Sequence, residues 1–485
     1  MKKGYALDTA QKRRKDRIGR GQVQMRTARL LTEGKPWKTI VSFAWPIFLS
    51  QLFQQLYNTA DSLIVGNFLG GDALASVNSS GSLIYLLISF FVGASMGAGV
   101  VISRYFGAGD SERVSRAVHT NIVFSLICGV VLTVFGVTMT PTILRWMGVP
   151  ETVLPDATLY LRYYFLGSVP VVMYNTMKGV MNAVGDSRRP LFYLIVSSVL
   201  NVVLDLLFVG AFRMGVAGAA IATVLSQTVS AILCLIQLTR KGTVYCLSWK
   251  ELRMDRQSLR EIVKYGLPTG VQNSVIGFAN VLVQTNINSF GEEAMAACGA
   301  YSRIEGFVFL PIMSFSMALT SFIGQNLGAK EYDRAKQGAR FGILTSLAMA
   351  ELVGIVLFFF GGYFIQSFVL NEQDPEKLAR IIEIGSTQCR VESLFFFLLA
   401  FSHAVAGVCR GAGKAIVPML IMLLVWCVIR IIYITVAMAI RHEIILLFAA
   451  YPLTWFISSV IYFVYYKKSD WVHGFESRKE YLKKL

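Results

Sequence analysis

The chain has 485 residues, of which 54% are hydrophobic and only 15% charged, with a formal net charge of +17. A soluble domain of this size could not keep so apolar a composition in water. The positive charge would suit a nucleic acid, but the basic residues lie between long apolar runs, which excludes a nucleic-acid module and points to bilayer headgroups.

In chain order, residues 1–37 form a basic tail with Lys12, Arg13, Arg14, Lys15, Arg17 and Arg20. No short apolar run with a small-residue cleavage site follows it, so the tail reads as a topogenic, lipid-facing segment. A spanning helix needs about 20 apolar residues. By that measure twelve spans follow, near 38–62, 75–102, 118–140, 158–184, 190–211, 215–238, 261–288, 295–322, 340–366, 385–409, 415–439 and 443–466. The expected fold is all-α and integral to the membrane. A six-helix lobe over 38–238 and a second over 261–466 are joined by a polar linker, 239–260, and a basic tail fills 467–485. Arg104, Arg113 and Arg116, then Arg188 and Arg189, then Arg240 to Arg256, then Lys330, Arg334 and Lys336 occupy alternate loops. Asp72, Glu151, Asp156, Glu292, Glu293, Glu372 and Asp374 occupy the others. The positive-inside rule then places both termini in the cytoplasm of a bacterial-type cell. Seven scattered cysteines with no Cys-x-x-Cys pair indicate neither a disulfide frame nor a metal site.

The chain repeats itself. Gly70-Gly71-Asp72-Ala73-Leu74-Ala75 reappears as Gly291-Glu292-Glu293-Ala294-Met295-Ala296, and Gly107-Ala108-Gly109-Asp110 recurs at the same offset as Gly328-Ala329-Lys330-Glu331. Gly179 through Pro190 matches Gly407 through Pro418, and Pro46 matches Pro268. An even number of spans per half orients both copies alike, so the repeat axis runs along the membrane normal, as alternating access between rocking lobes requires. Pro46 and Pro268 are candidate hinges for that motion; tolerated kinks in packed spans are the other reading.

An ionisable group in hydrocarbon costs roughly 2.5–3.5 kcal/mol on insertion scales, so each one needs a reason. Asp61 ends span one, Arg162 and Lys178 lie in span four, and Asp205 is central in span five. Arg303, Glu305, Glu351, Arg390, Glu392 and Arg430 lie in the second half. Asn201 and Asp205 are one helical turn apart on one face. With Asn175 in span four and Thr223 in span six they offer oxygens to a proton or to a hard cation such as Na+. A structural hydrogen-bond cluster, or an Asp205–Lys178 ion pair, is the competing reading. Asp61, near the outer end, could load a proton from outside, or simply cap a helix. Arg303 with Glu305 and Arg390 with Glu392 are two apart and so point to different faces. They read as interhelical ion pairs, with Glu305 and Glu392 as reserve coupling acids. Glu351 stands alone. No nucleotide-binding glycine loop, zinc-helix motif or serine–histidine arrangement is present, so neither enzymatic chemistry nor a cofactor is expected.

Gln51, Gln54, Gln55, Tyr57 and Asn58 in span one are matched by Gln272, Asn273, Asn280, Gln284 and Asn286 in span seven. Such walls suit a water-filled central cavity in which Phe53, Tyr57, Phe278 and Tyr301 stack on flat or cationic organic compounds. Hydrogen bonding between helices would use the same residue types.

From about Trp37 to Tyr466 these features resemble the multidrug and toxic compound extrusion (MATE) family. The motifs that match are Pro46 with Asp61, Gly-x-x-Ala-x-Ala after spans one and seven, Gly107-Ala108-Gly109, Gly324-Gln325-Asn326-Leu327-Gly328-Ala329, and Asn201-x-x-x-Asp205 followed by Gly215-Val216-x-Gly218-Ala219-Ala220-x-Ala222-Thr223. The resemblance implies a V-shaped pair of six-helix lobes that exports cationic, amphipathic drugs in exchange for protons or sodium ions. It also implies an N-lobe cation cluster of Asp61, Asn175, Asn201, Asp205 and Thr223, with Pro46 as the bending point. A monomer in the lipid bilayer meets those needs. The chain departs from members with acids in spans seven and ten, since span seven has none and span ten has only Glu392. Lys178, beside the proposed cluster, would stand in for a cation and favour protons. A flippase for a lipid-linked saccharide, of the same superfamily, is the alternative; it calls for a cationic cavity, and only Arg162, Lys178, Arg390 and Arg430 could supply one.

Overall fold

The structure, a computed structural model, describes residues 30–70, 84, 89–90, 93, 95–146, 149, 151–369 and 374–475, without the Phe278 side chain. The basic residues 12–20, the loop copy 71–75, Glu372 and the lysines at 483–484 lie outside the described residues. The regular elements among those described are all helical. In the first half they are α1 (Pro36–Leu69), α2 (residues 95–107), α3 (Ser111–Trp146), α4 (Leu154–Leu166), α5 (Ser168–Ala183), α6 (Arg188–Asp205) and α7 (Gly215–Leu238). The second half has α8 (Arg256–Asn288), α9 (Glu292–Gly328), α10 (Tyr332–Phe368), α11 (Pro375–Ser393), α12 (Phe396–Gly411), α13 (Ile416–Met422), α14 (Arg430–Ile440) and α15 (Ile444–Lys468). Wider π-helical turns extend α6 over Leu206–Ala211 and join α13 to α14 over Leu423–Ile429.

Seven of these helical rods are long and apolar enough to cross a membrane, and α11 with α12 makes an eighth, bent by 53°. α1 and α8, at 34 and 33 residues, are long enough to cross. They fall short in apolarity because they carry the glutamines and asparagines of the two polar walls. Span four is α4 and α5, interrupted at Gly167, and span ten is α11 and α12, interrupted at Phe395. These two breaks fall at matching places in the repeat. At the second, the freed backbone N–H of Phe397 donates to the Glu351 carboxylate at 3.3 Å, which gives that isolated acid a structural role at a helix start.

The repeats exchange their first helices. Ile40 and Phe43 of α1 are buried in one apolar core with α9, α10, α12 and α15, while their counterparts Ile262 and Tyr265 of α8 are buried with α2, α3 and α5. Higher up, α1 packs on α6 of its own half and α8 on α13 of its own. Each crossing helix therefore belongs to both lobes, and a rocking motion must bend or pivot it. Pro46 and Pro268 lie just above the crossed segments, and both sit inside helices that run on without interruption.

The exchange is tightest at the end that carries the basic hairpins. A Cβ on Gly107 would lie 1.9 Å from the Gln325 carbonyl oxygen, and one on Gly328 would lie 2.1 Å from that of Arg104. Arg104 and Gln325 hold the same place in the two repeats, so the contact is reciprocal about the pseudo-twofold axis, and only glycine permits it. In the turns that follow, Gly109 and its counterpart Lys330 share a left-handed backbone, with φ of 72° and 63°. A non-glycine residue is therefore held there by the fold rather than by its own preference. Both ends of the described chain reinforce this closure. The Leu31 N–H donates to Gln325 Oε1 at 2.9 Å, and Gln325 Nε2 donates to the Ala183 carbonyl at 2.7 Å, which bridges the lobes. Phe475 lies under the Arg104 guanidinium at 4.5 Å and edge-on to Tyr265.

The linker is docked rather than loose. The Ser248 N–H donates to His119 Nε2 at 3.0 Å, and Asp255 caps α8 by accepting from the N–H and hydroxyl of Ser258, both at 2.8 Å. Those bonds hold the Asp255 carboxyl below its ordinary range.

Candidate functional site

In the N-terminal half, α1 packs on α6 and on the π turns that follow it. This brings Asp61 to Asp205, at 8% and 0% exposure. Each carboxyl acts on the other, and no lysine, arginine or histidine among the described residues acts on either. Both oxygens of Asp205 and one of Asp61 are buried without a protein hydrogen-bond donor. Asn201, one turn before Asp205, donates to Thr223 Oγ1 at 3.4 Å and leaves its own Oδ1 buried and unpartnered. The site therefore presents several buried acceptor oxygens that have no donor among the described residues. Two unit charges roughly 4 Å apart repel by about 4 kcal/mol at an effective dielectric of about 20, so a proton or a cation has to enter for the pair to be stable.

Of the expected cluster, Asn175 makes a local bond through its amide nitrogen, and Lys178, expected beside the cluster, pairs with neither carboxyl. Asn175 turns its amide nitrogen onto the Val171 carbonyl of its own helix, 2.9 Å away. The Lys178 ammonium lies 5.8 Å from the Tyr174 ring centre with Cys234 as its electrostatic neighbour, and no ion pair joins it to Asp205. The surroundings also hold groups that sequence reasoning missed. Tyr160 and Tyr164, one turn apart on α4 with rings 6.4 Å from centre to centre, both feel the field of Asp61. Gln227 of α7 donates to the Tyr57 hydroxyl at 3.5 Å. A tyrosine pair at helical i,i+4 spacing inside an apolar span was the available signal.

The C-terminal half holds its acids differently. Glu392 is fully buried on α11 and accepts from the Tyr301 hydroxyl at 2.9 Å and from Gln388 Nε2 at 2.8 Å. Glu305 on α9 is half-buried, and Arg430 at the start of α14 acts on both acids. Arg303 and Arg390 are exposed, so the two-residue spacing does separate the faces, but none of these arginines and acids forms the expected interhelical ion pair. Arg162 is likewise exposed. Arg410, just past the expected end of span ten, is 5% exposed and donates to Ser316 Oγ at 3.0 Å. Its place at a span boundary kept it off the list of intramembrane charges.

The polar walls divide between bonding and exposure. Gln51 donates to Ser314 Oγ at 2.8 Å, Gln272 is buried and donates to Met422 Sδ at 2.8 Å, and Asn273 donates to the Ser89 carbonyl across the lobes at 3.4 Å. Gln284 is exposed and donates to Asn288, while Gln54 and Tyr57 are half-buried. The Phe278 side chain lies outside the described residues.

Two repeated all-α lobes with crossed first helices, and buried ionisable groups in each, define a membrane transporter. The MatE family model matches residues 46–207 and 268–462, one stretch in each repeat. The chain belongs to the MatE family. It is 31% identical over 448 residues to the "Probable multidrug resistance protein YoeA" of Bacillus subtilis (strain 168), across 89% of this chain and 93% of that one. Among solved structures it matches a multidrug resistance MATE family transporter in an outward-facing conformation with a TM-score of 0.84 at 23% identity, over 94% of this chain and 98% of that one. A MOP superfamily transporter from Pyrococcus furiosus, described as having a binding pocket of reverse polarity, matches with a TM-score of 0.86 at 22% identity, over 92% and 98%.

Proposed function

We propose that this chain exports cationic, amphipathic organic compounds by alternating access, driven by inward flow of protons or sodium ions through the Asp61–Asp205 site. The observation that carries the reading is that buried pair of carboxyls with no basic partner. An entering proton or cation removes their repulsion, and its release restores it, so occupancy is coupled to the packing of α1 on α6. Because α1 also lies in the core of the opposite lobe, a shift at Asp61 is transmitted to the closure around Gly107 and Gly328. Asn201 Oδ1 and Thr223 Oγ1 complete an all-oxygen set suited to a hard cation, and the half-buried Gln54 and Tyr57 stand beside it as substrate contacts. Lys178 is too far from the carboxyls to serve as their resident cation, so it gives no preference for protons. The multidrug resistance name of the Bacillus relative supports the substrate class. The basic hairpins, read by the positive-inside rule, support a cytoplasmic side of the cell membrane for the closed end and both termini.

The test is dye efflux from proteoliposomes holding the purified protein, with a proton gradient or a sodium gradient imposed separately. Export driven by either gradient in wild type and lost in Asp205→Asn is the expected result; export independent of both would remove the antiport reading. The flippase alternative predicts lipid-linked saccharide movement in the same vesicles. Of its four candidate cations, Arg162 and Arg390 are exposed, and half-buried Lys178 and buried Arg430 lie in different halves, which speaks against one shared cationic cavity.

A further inference from the structure

Two equivalent residues of the repeat each hold one of the segments that flank the helices, 30–35 before α1 and 469–475 after α15. At the basic closure, Arg104 Nη2 donates to the Phe475 carbonyl at 3.4 Å, and its counterpart Gln325 accepts through Oε1 from the Leu31 N–H at 2.9 Å. The pseudo-twofold axis therefore relates two docking places as well as two sets of helices. The export reading gives neither a task.

Both segments are anchored in the C-terminal half. Asn326 Nδ2 and Arg334 Nη2 donate to the Leu31 carbonyl at 3.3 and 3.2 Å, Arg334 Nη2 also donates to that of Glu33 at 2.7 Å, and Leu31 is buried in the core of that half. After α15, Trp471 stacks on Tyr466 with ring centres 5.6 Å apart, and Trp471 and Val472 are buried in the same core. A Cβ on Gly474 would lie 2.2 Å from the Ala412 carbonyl oxygen, so the turn after α12 grips the segment by its backbone.

One apolar side chain of each segment then crosses to the other half. Leu30 packs on the core formed with α2, α3 and α5, although its neighbour Leu31 lies in the opposite core. Phe475 packs on both cores. A Cβ on Gly413 would lie 2.5 Å from its ring, and that ring lies 4.5 Å from the Arg104 guanidinium carbon and edge-on to Tyr265. No carboxylate pairs with Arg104 among the described residues, so its charge is received by the Phe475 carbonyl and by the rings of Phe475 and Tyr105. Alternating access requires the lobes to part at this end. The anchors then travel with the C-terminal half and stay made, and the contacts of Leu30 and Phe475 are the ones that break.

We propose that the two flanking segments are paired latches: fixed to the C-terminal half, they hold the basic end shut through Phe475 on Arg104 and Leu30 on the N-terminal core, and they release when that end opens. The inference rests on the alternating-access part of the export reading and adds a gate to it.

Hydrogen–deuterium exchange on the purified full-length protein in nanodiscs reports both ends of the molecule without labels. Phe475→Ala should raise exchange in residues 101–110 and 324–331, at the basic end, by about 10-fold, the shift expected from losing a desolvated cation–π contact. It should at the same time slow exchange at the opposite end, in residues 60–69 and 284–291. Arg104→Gln, which installs the residue found at the equivalent place in the other repeat, should shift both ends in the same way. Leu30→Ala should do so to a smaller extent, and Phe475→Tyr, which keeps the ring, should match wild type. A rise confined to residues 469–475 would make Phe475 a surface contact, and a rise at both ends alike would make it a general contributor to stability; either would overturn the latch. If Phe475→Ala does not fold, the opposed changes in Arg104→Gln decide the matter. A wild type whose two ends exchange identically with and without bound dye would overturn alternating access itself. A Phe475→Ala protein that starts from and reaches the wild-type patterns on adding dye would overturn the latch alone.

Discussion

The two halves share a scaffold and differ in charge. Both break their fourth span at the same place, both bury the start of their first helix in the other lobe, and both place π-helical turns beside an ionisable residue in the fifth span of the half. The residue is Asp205 in one half and Arg430 in the other. Around Asp205 two carboxyls meet with no base; around Arg430 two carboxylates are accompanied by a base but not paired with it. The duplicated scaffold thus holds a carboxyl pair in one half and a base beside two acids in the other, and the export reading assigns cation entry to the first.

Asp205→Asn tests that division most severely. The variant should insert and accumulate like wild type, because an amide is nearly isosteric and relieves the like-charge contact, yet gradient-driven export should fall to background. Measured drug resistance at the wild-type level would show that the second half drives coupling instead. Glu392→Gln should do less. It keeps one acceptor oxygen for the two donors Tyr301 and Gln388, so stability should fall by about 1–3 kcal/mol, while export should still respond to the gradient. Abolished gradient response in this variant would erase the proposed asymmetry.

Much of this was legible in the sequence. The apolar runs located most of the spans, the glycine loops revealed the duplication, and the cost of a buried charge singled out Asp61, Asp205, Glu392 and Arg430 before any contact was visible. What spacing could not reach was direction. Asn175 gives its amide nitrogen to the Val171 carbonyl, and the Lys178 ammonium lies over the Tyr174 ring. Arg303 and Arg390 were correctly separated from their neighbouring acids by helical geometry, yet spacing alone gave no means of knowing that they are exposed. The exchange of first helices was hidden for another reason. Ile40 and Ile262 read as ordinary apolar residues of their own spans, and only tertiary packing assigns each to the opposite lobe.

The symmetric part of the molecule makes a prediction of equal effects. Gly107→Ala and Gly328→Ala each push a methyl into the backbone of the other repeat, at 1.9 and 2.1 Å from a carbonyl oxygen. Overpacking of this kind costs about 1–3 kcal/mol, and thermal unfolding in nanodiscs should show similar losses for both. A loss confined to one variant would mean that the closure at the basic end is not shared equally by the lobes.

The finest comparison pairs two threonines of the sixth spans. Thr223 accepts from the neutral Asn201 amide at 3.4 Å, a long contact of the type that averages about 0.6 kcal/mol between membrane helices. Thr454 accepts from two nitrogens of the Arg430 guanidinium, at 3.3 and 2.9 Å, and a hydrogen bond to a charged group contributes about 1.5–3 kcal/mol. Replacing either with valine preserves shape and removes the acceptor. Thr454→Val should therefore be the more destabilising, by about 1 kcal/mol or more, in chemical unfolding followed by Trp fluorescence. If the two variants lose equal stability, Arg430 is held by something other than Thr454, and the separation of charge in the second half needs another anchor.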